Sequence, residues 1–217
     1  MDMRLHHKLA LLGATGTSAM ALSDAVIHGL TGHSSVLADT SGNAPAQALG
    51  ALVHGMTYVA LSLVLVREAG RFAAVNRVAR GCRWVVLMSL ATLAPGFVLV
   101  APVLAFTGSD AGTPHAIWGA IAGVAFVGMI LGSLVLGLAL LPSRALGVGA
   151  RVLALMLPVA GLTALLAWLA SGWAHPAYLE TTLHFGLATL GLGVAAVLPS
   201  ADAGSSMSLT ADPILRP

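Results

Sequence analysis

Long apolar runs separated by short polar stretches dominate the chain. A helix needs about 20 predominantly apolar residues to cross a bilayer, and six runs reach or approach this length. They cover residues 9–30, 48–66, 84–106, 115–141, 152–171 and 177–198. None shows the period-2 alternation of membrane-barrel strands, which are about ten residues long. The pattern therefore predicts an all-α polytopic membrane protein, with a six-helix transmembrane bundle in residues 1–198 and a disordered tail in residues 199–217.

Composition excludes the other broad classes of protein. Of the 217 residues, 58% are apolar and 8% are charged, whereas a soluble domain carries about 25% charged residues. Disordered chains are poor in hydrophobic residues, so the chain as a whole does not fit that class either. The one cysteine, Cys82, excludes an intrachain disulfide and a CxxC motif. Aromatic residues make up 5% of the chain, and no feature indicates a nucleic-acid partner.

All ten Lys and Arg residues fall on one side of the predicted bundle. Two precede the first span, five lie in the loop 67–83, two lie between the fourth and fifth spans, and one is in the tail: Arg4, Lys8, Arg67, Arg71, Arg77, Arg80, Arg83, Arg144, Arg151 and Arg216. The other loops, 31–47, 107–114 and 172–176, contain none. Because cytoplasmic loops carry the excess of Lys and Arg, we predict a multi-pass protein of the cell membrane with both termini in the cytoplasm.

Residues 1–21 also fit a different interpretation. A basic start, a short apolar stretch and the small residues Ala19-Met20-Ala21 are typical of a signal peptide. Cleavage there would leave five spans with the N-terminus outside. The sequence leaves both interpretations open.

Small residues and prolines within the spans predict how the helices pack. Glycines four residues apart in the fourth span, Gly119/Gly123 and Gly128/Gly132, allow helix backbones to approach closely. They predict packing within the bundle, with a homo-oligomer or another membrane partner as the alternative. Prolines inside spans, such as Pro95 and Pro158, predict kinks.

Ionisable side chains other than the cations collect toward the opposite, outer side. Apart from His6 and His7, every histidine lies in an outer half-span or an outer loop. The outer candidates for ligand binding are Asp24, His54, His115, Glu180 and His184, with Asp39 and Asp110 in the loops above them. Ionisable groups within a membrane are costly unless they are paired or hydrated. This distribution predicts a polar pocket in the outer-leaflet half.

Two of these acids are spaced to share a helix face with a histidine. Asp24/His28 and Glu180/His184 are both i, i+4 pairs. Counting from the ends of the antiparallel first and sixth runs predicts that Asp24 lies level with His184. It likewise predicts that His28 lies level with Glu180.

Three interpretations of this cluster stay open. Imidazoles with a carboxylate bind metals such as zinc or iron, which makes His54, His115 and His184 candidate ligands, although no HxxxH or HExxH motif supports a cofactor. A carboxylate–imidazole pair also performs acid–base catalysis, for which Asp24, Glu180 and His184 are the candidates. In the third interpretation, these groups only hold the helices together.

Short motifs in a fixed order give the chain a resemblance to a known family. They are the stretch 36–47 before the second span, the Pro- and Asp-containing loop 106–115 that leads into His115, and Glu180 at the head of the last span. The chain thereby resembles a bacterial six-span integral membrane family, catalogued as domain of unknown function 998 and similar in layout to the Frag1/DRAM/Sfk1 group. It departs from the family pattern at His54-Gly55, Gly119 and Thr181. The resemblance implies membrane residence and six helices, and no reaction.

Three functions are compatible with these features. The leading hypothesis is a pocket in the outer half that binds a small molecule or a lipid headgroup. The first alternative is a membrane-embedded enzyme that uses carboxylate and histidine acid–base chemistry on a lipid or isoprenoid-like substrate. The second is a non-catalytic accessory subunit or sensor.

Overall fold

The computed structural model describes residues 3–36, 43–73, 75–107, 113–142 and 146–193. Within these ranges the chain forms nine α-helices and no β-strand. The helices are α1 (Leu5–Thr31), α2 (Ala44–Arg67), α3 (Ala69–Ala73), α4 (Arg77–Pro95), α5 (Ala101–Thr107), α6 (Thr113–Leu140), α7 (Gly147–Ala154), α8 (Met156–Leu169) and α9 (Ala177–Ala188). The predicted all-α class is confirmed.

Five helical stretches are long and apolar enough to cross a membrane. They are Leu5–Thr31, Ala44–Arg67, Arg77–Thr107, Ala116–Leu140 and Gly147–Leu169. Large apolar side chains cover much of their exterior, with Trp168 82% and Val124 77% exposed. An extensive apolar surface marks a contact with lipid or with another protein. Together, the five helices suggest a membrane location.

The sixth predicted span is only partly described. Helix α9 covers the first part of the predicted run 177–198, and turns follow it to residue 193. The remainder of the run and the tail lie outside the described residues. The six-span count therefore stays a prediction.

Short polar signals set where several helices begin and end. The side chain of Asn43 accepts a hydrogen bond from the Ala46 N–H at 3.1 Å and caps the start of α2. Asn76 caps α4 in the same way, at 2.7 Å from the Ala79 N–H. Gly32 ends α1 in the left-handed conformation, with φ of 72°, which glycine adopts without strain.

Prolines interrupt the third and fifth spans, as the sequence predicts. Pro95 ends α4, and a π-helical turn over Gly96–Val100 carries the chain into α5. The fifth span divides at Leu155 into α7 and α8, three residues before Pro158. A proline ring clashes with the carbonyl four residues earlier, here that of Ala154, which is the last residue of α7.

Helix α2 contacts several other helices of the bundle. It packs against α1, α4, α5 and α9, and α1 packs directly against α9. A second group is formed by α6 against α4 and by α7 against both α6 and α9. Helices α1, α2 and α9 thus form a unit of three mutually contacting helices, and this unit contains the candidate site.

The glycines of the fourth span differ in their environment. A methyl group at Gly128 would lie 2.9 Å from Ser89 Oγ, and one at Gly132 would lie 3.0 Å from Val86 Cγ2, so both allow α6 to approach α4. No described residue lies within 4 Å of a methyl group at Gly119 or Gly123. Within the described residues, the second of the two predicted pairs takes part in helix packing and the first does not.

The arginine-rich loop 67–83 is largely helical, forming α3 and the start of α4. Two of its arginines donate hydrogen bonds to backbone carbonyl groups of the bundle. Arg83 donates through Nε to the Leu65 carbonyl at 2.8 Å, and Arg71 donates to the Gly191 carbonyl at 2.7 Å. These arginines therefore have a structural role in addition to the predicted effect on topology.

Candidate functional site

Two histidines converge on one carboxylate oxygen inside the three-helix unit. His54 Nε2 lies 3.3 Å from Glu180 Oε1, and His184 Nε2 lies 3.8 Å from the same oxygen. His54 comes from α2, whereas Glu180 and His184 lie one turn apart on α9. We refer to His54, Glu180 and His184 as the Glu180 triad.

The second ring nitrogen of His54 defines the position of a proton. His54 Nδ1 lies 2.9 Å from the Gly50 carbonyl oxygen. A carbonyl only accepts hydrogen bonds, so the geometry requires a hydrogen on Nδ1. His54 Nε2 then faces Glu180 Oε1 at 3.3 Å, and a proton bound at this contact would be shared between an imidazole and a carboxylate.

His184 is held from the other side by α1. Its Nδ1 lies 3.0 Å from Thr17 Oγ1, and the Thr17 hydroxyl also lies 3.0 Å from the Gly13 carbonyl oxygen. A hydroxyl carries one hydrogen. If Thr17 donates it to Gly13, Thr17 accepts from His184 Nδ1. His184 Nε2 is then an acceptor that faces Glu180, and this buried atom has no hydrogen-bond partner among the described residues.

Aromatic rings form one wall of the triad. The Tyr58 ring packs edge-on against Phe97, with centroids 5.5 Å apart, and lies 5.7 Å from the His184 ring. Phe97 lies 5.8 Å from the His54 ring. The side chain of Tyr58 also forms a hydrogen bond with Glu180, so this wall is polar at the Tyr58 hydroxyl and apolar at Phe97.

Asp24 belongs to a separate polar contact nearer the end of α1. Its Oδ2 lies 3.3 Å from His175 Nε2, and its Oδ1 accepts a hydrogen bond from the Ser35 backbone N–H at 2.6 Å. Thr17, which contacts His184, precedes Asp24 by seven residues, about 10 Å along a helix. The pair Asp24–His175 and the Glu180 triad are thus two distinct sites on one helix face.

This register differs from the predicted one, in which Asp24 lies level with His184. The stretch before α9 is the cause, because its turn Ser171–Trp173 packs alongside the end of α1. A methyl group at Gly29 would lie 2.6 Å from the Trp173 ring. The turn occupies the level predicted for the head of α9, and α9 is displaced by about two helical turns.

The structure brings together three of the predicted ligand-binding residues, namely His54, Glu180 and His184. It places Asp24 apart from them, with the ring of His28 6.4 Å from that of His175. The predicted loop residues Asp39 and Asp110 lie outside the described residues, as does the side chain of His115.

Sequence reasoning missed Thr17, Tyr58 and His175 as parts of these contacts. Tyr58 follows His54 by four residues, and Thr17 precedes Asp24 by seven. Both spacings place residues on one helix face. The pattern therefore contained a signal for these two residues, whereas the position of His175 depends on the turn before α9.

The triad differs from a compact metal-ligand set. Among the described residues, one set of three His, Cys, Asp or Glu side chains has all its ligand atoms within 4.8 Å of one another. This set is His6, His7 and Glu68. They lie at the other end of α2. The geometry of the triad itself fits proton sharing and hydrogen bonding to a polar group.

No family model matches the chain, and no curated protein or solved structure matches it either.

Proposed function

We propose that the protein is a six-span protein of the cell membrane whose outer-leaflet half binds the polar headgroup of a lipid or of a small amphiphile. The five apolar helices support a membrane location. The one-sided distribution of Lys and Arg supports cytoplasmic termini. On this topology the Glu180 triad belongs to the outer half.

The convergence of two imidazoles on one oxygen of Glu180 carries this proposal. One acid and one base would be enough to hold two helices together, and the triad contains a second base whose Nε2 is buried without a hydrogen-bond partner among the described residues. His54 and Glu180 keep 17% and 14% of their side-chain surface exposed. His184 Nε2 is therefore able to form one more hydrogen bond, and part of the surface of His54 and Glu180 is accessible to a ligand.

The surroundings of the triad indicate the chemistry of the ligand. A carboxylate beside imidazoles suits a hydroxyl or amine group, which both donates and accepts or carries positive charge. The partly exposed ring of Phe97 suits the apolar atoms that follow such a headgroup. The pair Asp24–His175, about 10 Å from Thr17 along α1, provides a second polar contact for a longer headgroup.

Acid–base catalysis is the second candidate, and the direct contact between His54 Nε2 and Glu180 Oε1 favours it. Because the Gly50 carbonyl fixes the hydrogen of His54 Nδ1, proton exchange is confined to the side of the ring that faces Glu180. A bound headgroup at this point would meet a group that both gives and takes a proton.

The test uses nanodiscs of three compositions: phosphatidylcholine alone, phosphatidylcholine with phosphatidylglycerol, and phosphatidylcholine with phosphatidylethanolamine. We expect the melting temperature of the wild-type protein to rise with one of the added headgroups. Glu180→Gln should lose this rise, because the amide replaces the carboxylate at nearly constant shape. His33→Ala, which removes an exposed imidazole, is the matched control and should keep it.

Native mass spectrometry of the protein released from its host membrane completes the test. Co-purification of one amphiphile with the wild type and not with Glu180→Gln supports binding, and a change in the mass of that amphiphile supports catalysis. If neither a headgroup-dependent melting shift nor a retained amphiphile distinguishes the wild type from Glu180→Gln, the proposed site does not bind a headgroup.

A further inference from the structure

A second cluster of ionisable groups lies at the far end of α2 from the triad. Glu68 follows α2 directly, and His6 and His7 belong to the first turn of α1. Glu68 lies fourteen residues after His54, about 21 Å along a helix. The side chains of His7 and Glu68 are both only 2% exposed. We refer to His6, His7 and Glu68 as the Glu68 cluster.

The distances within this cluster are those of a metal-ligand set. His6 Nε2 lies 3.7 Å and His7 Nε2 lies 3.6 Å from Glu68 Oε1. Both distances exceed the usual limit of a hydrogen bond. Ligand atoms about 2.1 Å from a tetrahedral metal ion are separated from one another by about 3.4 Å. The three ligand atoms all lie within 4.8 Å of one another, and they are therefore close enough to bind one metal ion after a small movement.

His7 is oriented as metal-binding histidines are. Its Nδ1 lies 2.9 Å from the Ala188 carbonyl oxygen at the end of α9, so the hydrogen is on Nδ1. The lone pair of Nε2 then points toward Glu68. A backbone carbonyl that fixes the tautomer in this way is a common outer partner of a metal-binding imidazole.

Glu68 is fixed in a similar manner. Its Oε2 lies 3.1 Å from Arg71 Nε, and Arg71 is anchored in turn by the Gly191 carbonyl at 2.7 Å. This contact occupies one carboxylate oxygen. It leaves the other, Oε1, directed at the two imidazoles.

His6 supplies the ligand atom that the rest of the structure leaves unused. Its Nε2 is buried and has no hydrogen-bond partner among the described residues, and its ring lies 4.4 Å from that of His7. Buried polar atoms without a partner are rare and costly. A metal ion would satisfy this nitrogen.

Arg4 is the group that competes with a metal. Its NH1 lies 3.4 Å from the same Oε1 of Glu68, yet its side chain is 61% exposed. An exposed arginine leaves such a contact at little cost. A divalent cation in its place would bring two positive charges to the carboxylate, whereas the guanidinium brings one.

We propose that His6, His7 and Glu68 bind one divalent transition-metal ion. Two imidazoles and one carboxylate suit zinc, and also iron(II), cobalt and manganese. The site joins the start of α1 to the end of α2 and, through His7 and Arg71, to the end of α9. It is independent of the headgroup-binding function proposed for the triad.

The experiment measures zinc binding to full-length protein purified through a histidine-free C-terminal tag and treated with EDTA. Equilibrium dialysis against zinc chloride, followed by elemental analysis, should give one zinc ion per chain. His6→Ala should weaken binding by at least about tenfold. This variant is preferred to Glu68→Gln, which would also disturb Arg71, because the Nε2 of His6 has no hydrogen bond to lose within the described residues. His33→Ala should bind zinc as the wild type does.

A second variant, Arg4→Ala, should have the opposite effect on zinc binding. Removal of the competing guanidinium should tighten zinc binding by up to about fivefold, an effect that a purely structural cluster does not produce. The absence of stoichiometric zinc, or equal zinc binding by the wild type and His6→Ala, overturns the proposal. So does loss of zinc in His54→Ala with retention in His6→Ala, because the metal would then belong to the triad.

Discussion

His54 Nε2 lies 3.3 Å from Glu180 Oε1, and this contact joins α2 to α9 across the interior of the bundle. In an apolar environment, a carboxylate that loses its partner remains desolvated without compensation, which is more costly than the loss of both groups together. The relationship therefore predicts a strong energetic coupling between these two side chains.

A double-mutant cycle measures this coupling. We expect His54→Ala and Glu180→Ala each to lower the free energy of unfolding in mixed micelles by roughly 3 kcal/mol. The double variant should lose clearly less than the sum, because the second truncation removes a group that the first has left unpaired. His33→Ala combined with Glu180→Ala is the control and should be additive. Additivity of His54→Ala with Glu180→Ala would show that the contact contributes nothing specific.

The contact between Thr17 and His184 gives a second prediction. Thr17→Val keeps the shape of the side chain and removes the hydroxyl beside His184 Nδ1. We expect a loss of about 1–3 kcal/mol in the free energy of unfolding, because the buried imidazole is left without this partner. Thr15→Val is the matched control, since the exposed Thr15 hydroxyl donates within its own helix, to the Leu11 carbonyl. Equal losses in the two variants would argue against a role for the interhelical hydrogen bond.

Hydrophobic patterning predicted the helical class and the approximate position of the apolar helices. It did so because membrane-crossing length and apolar composition are local properties of the sequence. The ends of the runs were less well defined. Helix α2 begins at Ala44, four residues before the predicted run, because the cap at Asn43 and not the first apolar residue sets its start.

The composition of the candidate site was predicted in part. His54, Glu180 and His184 are among the ionisable residues that the sequence places toward the outer side, and the i, i+4 spacing places the last two on one face. The alignment of Asp24 with His184 failed, because the register between α1 and α9 is set by the packing of Trp173 against Gly29. Such a tertiary contact has no local sequence signal. The Glu68 cluster has no local sequence signal either, because Glu68 lies in the arginine-rich loop 67–83, far along the chain from His6 and His7.

The approach of α7 to α9 predicts an effect of glycine substitution. A methyl group at Gly149 would lie 2.6 Å from the Gly186 carbonyl oxygen, so Gly149→Ala forces two backbones apart. We expect it to lower the free energy of unfolding by about 1–3 kcal/mol. Gly161→Ala on α8 is the control, since none of the described residues lies within 4 Å of the added methyl group. A melting temperature of Gly149→Ala as high as that of Gly161→Ala would contradict the close approach.

The contacts of residues 1–21 give a prediction about the processing of this segment. Removal of this segment as a signal peptide would take Thr17 away from His184, and His6 and His7 away from Glu68. Two buried polar clusters would then lose their partners on α1. We therefore expect the intact mass of the protein isolated from membranes to include residues 1–21. A mass that corresponds to a chain starting near Leu22 would contradict both the six-span topology and the proposed metal site.

The sidedness of the bundle is tested by cysteine labelling in a Cys82→Ser background. Arg80 at the start of α4 and His33 after α1 are both exposed and lie at opposite ends of the helices. Because the arginine-rich side should face the cytoplasm, a membrane-impermeant maleimide should label His33→Cys in intact cells. It should label Arg80→Cys only after permeabilisation. Labelling of Arg80→Cys in intact cells would reverse the orientation, and the Glu180 triad would then face the cytoplasmic leaflet, where it could not bind a headgroup of the outer one.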